Sequence, residues 1–284
     1  MTIITPYETT AGPWLRGNLH THTTCSDGVL SPEQAADLYA GAGYDFLAIS
    51  DHERYTPPPA DDRLVWIPAS EVSGGPHILA VGSDRAWPTD LSRQETINAI
   101  AASGALAILN HPNWGTSWEH WPRALLGELK GYAGIEIYNT VIERLEGEAL
   151  ATDRWDWLLS LGRQVWGYAN DDLHGPEDGP FSANVVQAEP DPASILANLA
   201  AGRCYASLGG LAIETIAVEP DGLTIVAPDA DTIVFTGQWG RLLATAAGPR
   251  ATYQFRGNEG YVRAACYASL RRAAYTQPTW IEPA

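Results

Sequence analysis

From residue 14 to about 205 the chain alternates short apolar runs with segments of helical spacing, and this alternation restricts the fold more than any other feature. Strand candidates are residues 14–19, 44–50, 64–70, 77–81, 106–110, 134–139, 164–169 and 184–188. Helix starts are legible between them. Ser31-Pro32-Glu33-Gln34 is a capping box with proline at the first helical position, and Ser92-Arg93-Gln94-Glu95 is a second box. Residues 125–129, 155–161 and 192–199 carry apolar side chains at helical spacing, the last stretch closing at Gly202. A βαβα succession of this length predicts an α/β fold with a parallel sheet, either open or closed into a barrel.

After Gly209-Gly210 helical periodicity stops. Residues 212–218, 223–226, 232–236, 251–256 and 261–267 read as short strands, with turns at Pro220-Asp221-Gly222 and Gly257-Asn258. The expected organisation is an α/β domain over 1–208 followed by a small antiparallel β-rich domain over 209–284. With 45% apolar and 18% charged residues, the chain can build a sizeable core. No apolar run approaches the ~20 residues of a membrane span, and no secretory signal is legible at the start. Cys25, Cys204 and Cys266 are odd in number and far apart, which argues against a disulfide framework and fits a reducing cytoplasm. The net charge of −17 makes long nucleic acid an improbable partner, but leaves room for a small anionic substrate beside bound cations.

The seven histidines are distributed unevenly. His20, His52 and His111 end predicted strands, His22 follows His20 by two residues, and His174 lies just past the 164–169 strand. His77 opens a strand, and His120 lies in a tryptophan-rich loop. Acids accompany them: Asp27, Asp51, Glu71, Asp171 and Asp172. Parallel α/β folds carry their sites at the C-terminal edge of the sheet, so these strand ends are expected to converge on one cleft. Residues two apart on an extended segment face the same side, as His20 and His22 do, and as Asp172 and His174 do. Two such pairs facing one pocket suit a multinuclear nitrogen and oxygen site.

In order along the chain, HTHTTCSDG (20–28), ISDH (49–52), SEVS (70–73), NHP (110–112) and DLH (172–174) resemble the motifs of the PHP (polymerase and histidinol phosphatase) superfamily. GIEIYN (134–139) and the tail with AYTQPTW (274–280) resemble its CehA/McbA-type metallohydrolases. The resemblance implies a distorted (β/α)7 barrel with two or three divalent ions, Mn²⁺, Fe²⁺ or Zn²⁺. It implies that His20, His22, Glu71 and Asp172 hold a first ion. Glu71 bridges to a second, also bound by His111, while Asp27, His52 and His174 hold a third. Many relatives add a His or Cys after the GIEIYN strand. Here only Glu143 or Glu146 lies near that position, which implies a weakly bound second ion or a binuclear site.

Other residues carry two readings each. His77 is a substrate contact at the pocket rim or an ordinary strand residue. Arg54 is a clamp for an anionic group or a surface arginine. Glu136 is a ligand or a buried structural acid, while Asp51 and Asp171 are read as orienting neighbouring ligands. The loop with Trp114, Trp118, Trp121 and His120 is an apolar lid or a packing patch. The resemblance implies hydrolysis by a metal-activated hydroxide, with Asp172 and His174 as candidates for proton transfer. The first reading is a phosphoesterase acting on a small phosphate ester. The alternative is a carboxyl ester or carbamate hydrolase using the same site, and a third reading is a catalytically silent module. A basic clamp in the pocket would favour the first and an apolar pocket the second. The sequence leaves the oligomeric state open.

Overall fold

The computed structural model describes residues 1–7, 12–269 and 271–282. Both capping boxes form. The Gln34 amide donates to Ser31 Oγ while Gln34 Oε1 accepts from the Ser31 amide, opening the helix Pro32–Gly41. Ser92 and Glu95 do the same for Arg93–Ala102. The helices Arg123–Glu128, Thr152–Ser160 and Pro192–Ala200 lie within a few residues of their expected positions, the last capped by Asp191.

Two sheets carry the site, and among the described residues no ladder closes them into a barrel. The first sheet contains the parallel set Trp14–Asn18, Phe46–Leu47 and Val65–Trp66. Ser182–Gln187 and Cys204–Leu208 extend it antiparallel. The second sheet runs Ala69–Val72, Ile78–Val81, Leu106–Leu109, Gly134–Asn139, Trp166–Asn170. Its first two pairings are antiparallel, which corrects the expectation of a purely parallel sheet. The physical reason is loop length. Residues 73–77 are enough for a hairpin but not for the dozen or so a parallel crossover needs.

The two sheets meet through isolated parallel bridges, Thr21 with Leu173 and His52 with Glu71. Leu19 and Phe46 from one sheet pack against Leu79, Ile108 and Tyr168 from the other. Within the first sheet, Gly17 leaves room for the ring of its strand partner Phe46, because a Cβ there would come within 2.2 Å of it.

Beyond residue 209 the chain is antiparallel β, as its turns predict. Thr215–Glu219, Gly222–Val226 and Arg250–Gln254 form a three-stranded sheet. Thr232–Gly237, Gly260–Tyr267, Ala273–Thr276 and Thr279–Glu282 continue the first sheet, entering it where Ala273–Thr276 pairs with Cys204–Leu208. Arg241–Ala247 is an additional strand beside Thr232–Gly237, and Thr2–Ile4 pairs with Thr279–Glu282. Among the described residues no helix is long and apolar enough to cross a membrane.

One buried ion pair ties the tail to the α/β part. Arg263 donates Nε and Nη2 to the two oxygens of Asp156 at 2.7 Å each, and Tyr261 OH donates to the same carboxylate. Asp156→Ala would leave Arg263 buried and unpaired, so it should lower unfolding free energy by about 3–5 kcal/mol. Urea denaturation checks this; a loss below about 1 kcal/mol would show that the pair does not couple the two parts.

Candidate metal centre

His20 and His22 follow the strand Trp14–Asn18, on a segment pinned to the end of Trp166–Asn170. The Leu19 amide donates to Asn170 Oδ1, the His22 amide to the Leu173 carbonyl, and the Asp172 amide to the His20 carbonyl. These bonds bring Asp172 against both histidines. Glu71 enters from Ala69–Val72, and His111 follows Leu106–Leu109. Asp172 and His111 hold positive φ, 55° and 31°, a conformation that costs free energy in non-glycine residues and recurs at functional sites.

At the centre, His20 Nε2 lies 3.1 Å from His22 Nε2, 3.1 Å from Asp172 Oδ1 and 3.3 Å from Glu71 Oε1. His22 Nε2 lies 3.2 Å from Asp172 Oδ1 and 3.3 Å from Glu71 Oε2. His20 Nδ1 faces Glu136 Oε1 at 2.8 Å, and that carboxylate can only accept. The ring hydrogen of neutral His20 therefore sits on Nδ1, and Nε2 presents a lone pair to a carboxylate and a second imidazole. Asp172 Oδ1 is buried with no hydrogen-bond donor. Converging lone pairs repel unless a cation lies among them. With bonds of about 2.0–2.2 Å, ligands around one divalent ion stand roughly 2.8–3.6 Å apart, so these residues fit such an ion.

The electrostatics agree. Burial alone would depress His20, but Asp172, Glu71 and Glu136 outweigh it and hold the imidazole well above its ordinary value. His22 is raised to about 9 against the same burial, by the Asp172 and Glu71 carboxylates beside it. Burial would raise Glu71 and Asp172, yet His20 and His22, joined by His111 at Glu71, pull both carboxyls well below the usual range.

A second group surrounds Asp27. Its Oδ2 lies 3.5 Å from His52 Nε2 and 3.4 Å from His174 Nε2. His174 Nδ1 donates to the Asp172 carbonyl at 2.9 Å, which leaves Nε2 as the lone-pair nitrogen facing Asp27. His52 Nδ1 sits 3.1 Å from Glu71 Oε2, though unaligned for a hydrogen bond. Burial holds His52 below its ordinary value. His111 Nε2 stands 3.7 Å from Glu71 Oε1 and 3.8 Å from Asp172 Oδ2.

All eight expected ligands thus gather at one edge of the fold. His77 joins them, its Nδ1 3.1 Å from Glu71 Oε1. Arg54 does not: it is exposed and donates Nη1 to the Cys25 carbonyl. Glu143 is engaged by Tyr138 OH and Arg271. Glu136 resolves as an orienting acid, since its Oε2 also accepts from the His111 amide and Asn139 Nδ2. Asp51 accepts from Thr23, Ser26 and Thr56, fixing the 20–28 loop; burial would raise its carboxyl, but hydrogen bonds from these donors hold it below the usual range. Asp171 is fully buried among Asn18, Tyr39, Thr140 and Ser182, and burial raises its carboxyl. His120 is the residue the motifs did not mark. It packs on His77, His111 and Trp114 with ring centroids 4.6–4.9 Å apart, and burial beside His111 and His77 depresses it to about 2.

The cluster opens into a cavity of about 270 Å³. Asp27, His52, Glu71, His77, His111, Asp172 and His174 line one side, and Trp114, Val141, Ile142 and Leu145 form an apolar wall. None of the lining residues is lysine or arginine.

No family model matches the chain, and no curated protein sequence matches it either. Among solved structures it is similar to a two-domain protein from Bacteroides vulgatus ATCC 8482 containing a predicted PHP-like metal-dependent phosphoesterase. The two share 18% identity over 91% of each chain, at a TM-score of 0.57. The chain has that two-domain protein's fold, in line with the motif resemblance. Two looser likenesses fall below a TM-score of 0.5. An amidohydrolase from Chromobacterium violaceum matches at 16% identity, over 56% of this chain and 88% of that one, with a TM-score of 0.42. PsfC from Pseudomonas syringae matches at 10%, over 61% and 82%, with a TM-score of 0.46.

Because His22 is raised to about 9, its stabilising contribution in metal-free protein is complete below about pH 6.5 and lost as pH rises through about 9. Chelator-treated protein should therefore melt at lower temperature at pH 9 than at pH 6.5. Adding Mn²⁺ or Zn²⁺ should raise the midpoint most at the alkaline end, where no proton competes for the ligands. Scanning fluorimetry across that range checks this, and a metal effect independent of pH would contradict it.

Proposed function

We propose that the chain is a metal-dependent hydrolase acting on a small phosphate ester. The observation that carries this reading is the convergence of lone pairs from His20, His22, Glu71 and Asp172 at the floor of an open cavity. Mn²⁺, Fe²⁺ or Zn²⁺ bound there would lower the pKa of a coordinated water to about 7 and offset negative charge on the reacting group. His20, His22, Glu71 and Asp172 would hold one ion, and Asp27, His52 and His174 another.

The chain's own groups do the rest. Glu136 fixes the His20 tautomer, so that Nε2 stays a ligand. The Asp172 carbonyl does the same for His174 through Nδ1. Asp172 lines the cavity and has a second oxygen, Oδ2, so Oδ2 can hold and return a proton while Oδ1 stays a ligand; His174 Nε2 could do so only while not bound to the other ion. The wall of Trp114, Val141, Ile142 and Leu145 suits an apolar substituent and excludes water from that side.

The same wall favours a second reading. With no lysine or arginine lining the cavity, a carboxyl ester or carbamate with an aromatic group suits it as well as a phosphate ester does. The 1–208 portion would carry the site, and 209–284 would be a supporting β-rich unit. Three free cysteines suit a reducing cytoplasm.

Hydrolysis of p-nitrophenyl phosphate, a phosphodiester and a naphthyl carbamate, each with Mn²⁺ or Zn²⁺, tests both readings. Phosphate release that falls at least about 10³-fold in His20→Ala supports the phosphoesterase. Carbamate cleavage without phosphate release selects the second reading. No turnover of any substrate class by metal-loaded protein would contradict both.

A further inference from the structure

We propose that Arg144 and Asp178 are positioning residues that set the spacing between two loops lining the cavity, and with it the apolar group a substrate can carry. The inference rests on the metal-hydrolase reading and deepens it: the ions would anchor the reacting group, and this pair would place the rest of the molecule.

The first loop is the turn Val141–Arg144 with Leu145, whose Val141, Ile142 and Leu145 side chains belong to the apolar wall. The second carries Asp172 and His174, which line the cavity among the ligands. Arg144 joins them. It donates Nε to Asp178 Oδ1, and Nη2 to Asp178 Oδ2 at 2.9 Å. The same Oδ2 accepts the His174 and Gly175 backbone N–H groups, each at 3.0 Å. One buried carboxylate therefore fixes the backbone of His174 and grips the guanidinium of the apolar turn. A two-pronged bond of this kind sets direction as well as distance, which a single ammonium could not do.

Elsewhere the turn is held at its ends. The Thr140 amide donates to the Asn170 carbonyl at 3.0 Å, and the Val141 amide to the Asp171 carbonyl at 3.1 Å. Past Leu145 the chain is stapled to the loop carrying Trp114. The Gly115 amide donates to the Glu146 carbonyl at 2.8 Å, and the Glu148 amide to the Asn113 carbonyl at 3.1 Å. Gly147 permits this approach, since it holds φ at 131° and a Cβ there would come within 2.5 Å of the Asn113 oxygen. The middle of the turn is tied to the rest of the protein by side chains. Glu143 is engaged by Tyr138 and Arg271, but its side chain is 31% exposed and Arg271's is 64% exposed. Exposed pairs of that sort hold little. Asp178 is 1% exposed, so loss of Arg144 would strip a guanidinium from a buried carboxylate and release the turn.

Phosphonates resist hydrolysis and offer metal ions the same oxygens as a phosphate or a tetrahedral intermediate. Methylphosphonate and 1-naphthylmethylphosphonate share that anchor and differ in the apolar group. Calorimetric titration of Mn²⁺-loaded protein with each gives a selectivity ratio. Wild type should bind the naphthyl ligand at least about tenfold tighter, from the apolar area it buries. Arg144→Gln should cut that ratio about fivefold or more, with methylphosphonate affinity and Mn²⁺ content held within about twofold. Asp178→Asn should cut it too, and the double variant should lose no more than the larger single loss, because both act through one contact. Asp178→Asn is the variant at risk of misfolding. The Arg144 side chain is 45% exposed and can be replaced without opening the core, so its arm stands alone. An unchanged ratio in folded Arg144→Gln, an equal fall for both ligands, or no naphthyl preference in wild type overturns the proposal and leaves the hydrolase reading intact. Wild type that binds no Mn²⁺ and neither ligand overturns both.

Discussion

The ionised carboxylate of Glu71, buried at the junction of the two sheets, is the constraint on which the rest depends. It lies against His20, His22, His52 and His77, with His111 slightly farther off. A charge in that position costs several kcal/mol unless opposite charge surrounds it. Glu136 and Asp172 are buried beside it, so the floor of the cavity concentrates negative charge that only cations can balance. The same residue forms the His52–Glu71 bridge between the sheets. The candidate ligand set and the junction of the sheets therefore meet at one residue, through its side chain and its backbone respectively.

Around that core, precision comes from groups that touch no reacting atom. Glu136 holds His20 and the His111 amide, while Asn170 and Asn18 hold the segment that carries His20. Asp51 gathers the hydroxyls of Thr23, Ser26 and Thr56 and so shapes the loop that presents Asp27. Opposite the ligands the cavity is hydrocarbon. The cavity thus joins metal-ligand side chains to tryptophan and aliphatic ones.

Much of this was legible in the sequence, for identifiable reasons. Capping boxes are local hydrogen-bond patterns, so Ser31 and Ser92 announced their helices. The ligands at strand ends were legible because a two-residue period fixes the side of the chain on which His20 and His22 fall. The hairpin Ala69–Val72 to Ile78–Val81 was misread because each strand alone looks like one of a parallel set. Only the shortness of 73–77 reveals its direction. The strand Arg241–Ala247 went unseen because its small, largely exposed side chains carry weak alternation. His120 bore no motif. Its part depends on a loop folding back onto His77, a contact 43 residues away that no local pattern encodes. Arg54 shows the converse: its closeness to His52 in sequence carried it to a carbonyl on the surface, not into the cavity.

The central claim is that His20, His22, Glu71 and Asp172 form a cage for a divalent cation. Anomalous diffraction from crystals grown with Mn²⁺, collected on either side of the manganese absorption edge, tests it most directly. The account predicts a manganese peak enclosed by those four side chains. Ordered side chains with no anomalous peak among them, at a Mn²⁺ concentration that saturates other proteins' carboxylate and histidine sites, would contradict it.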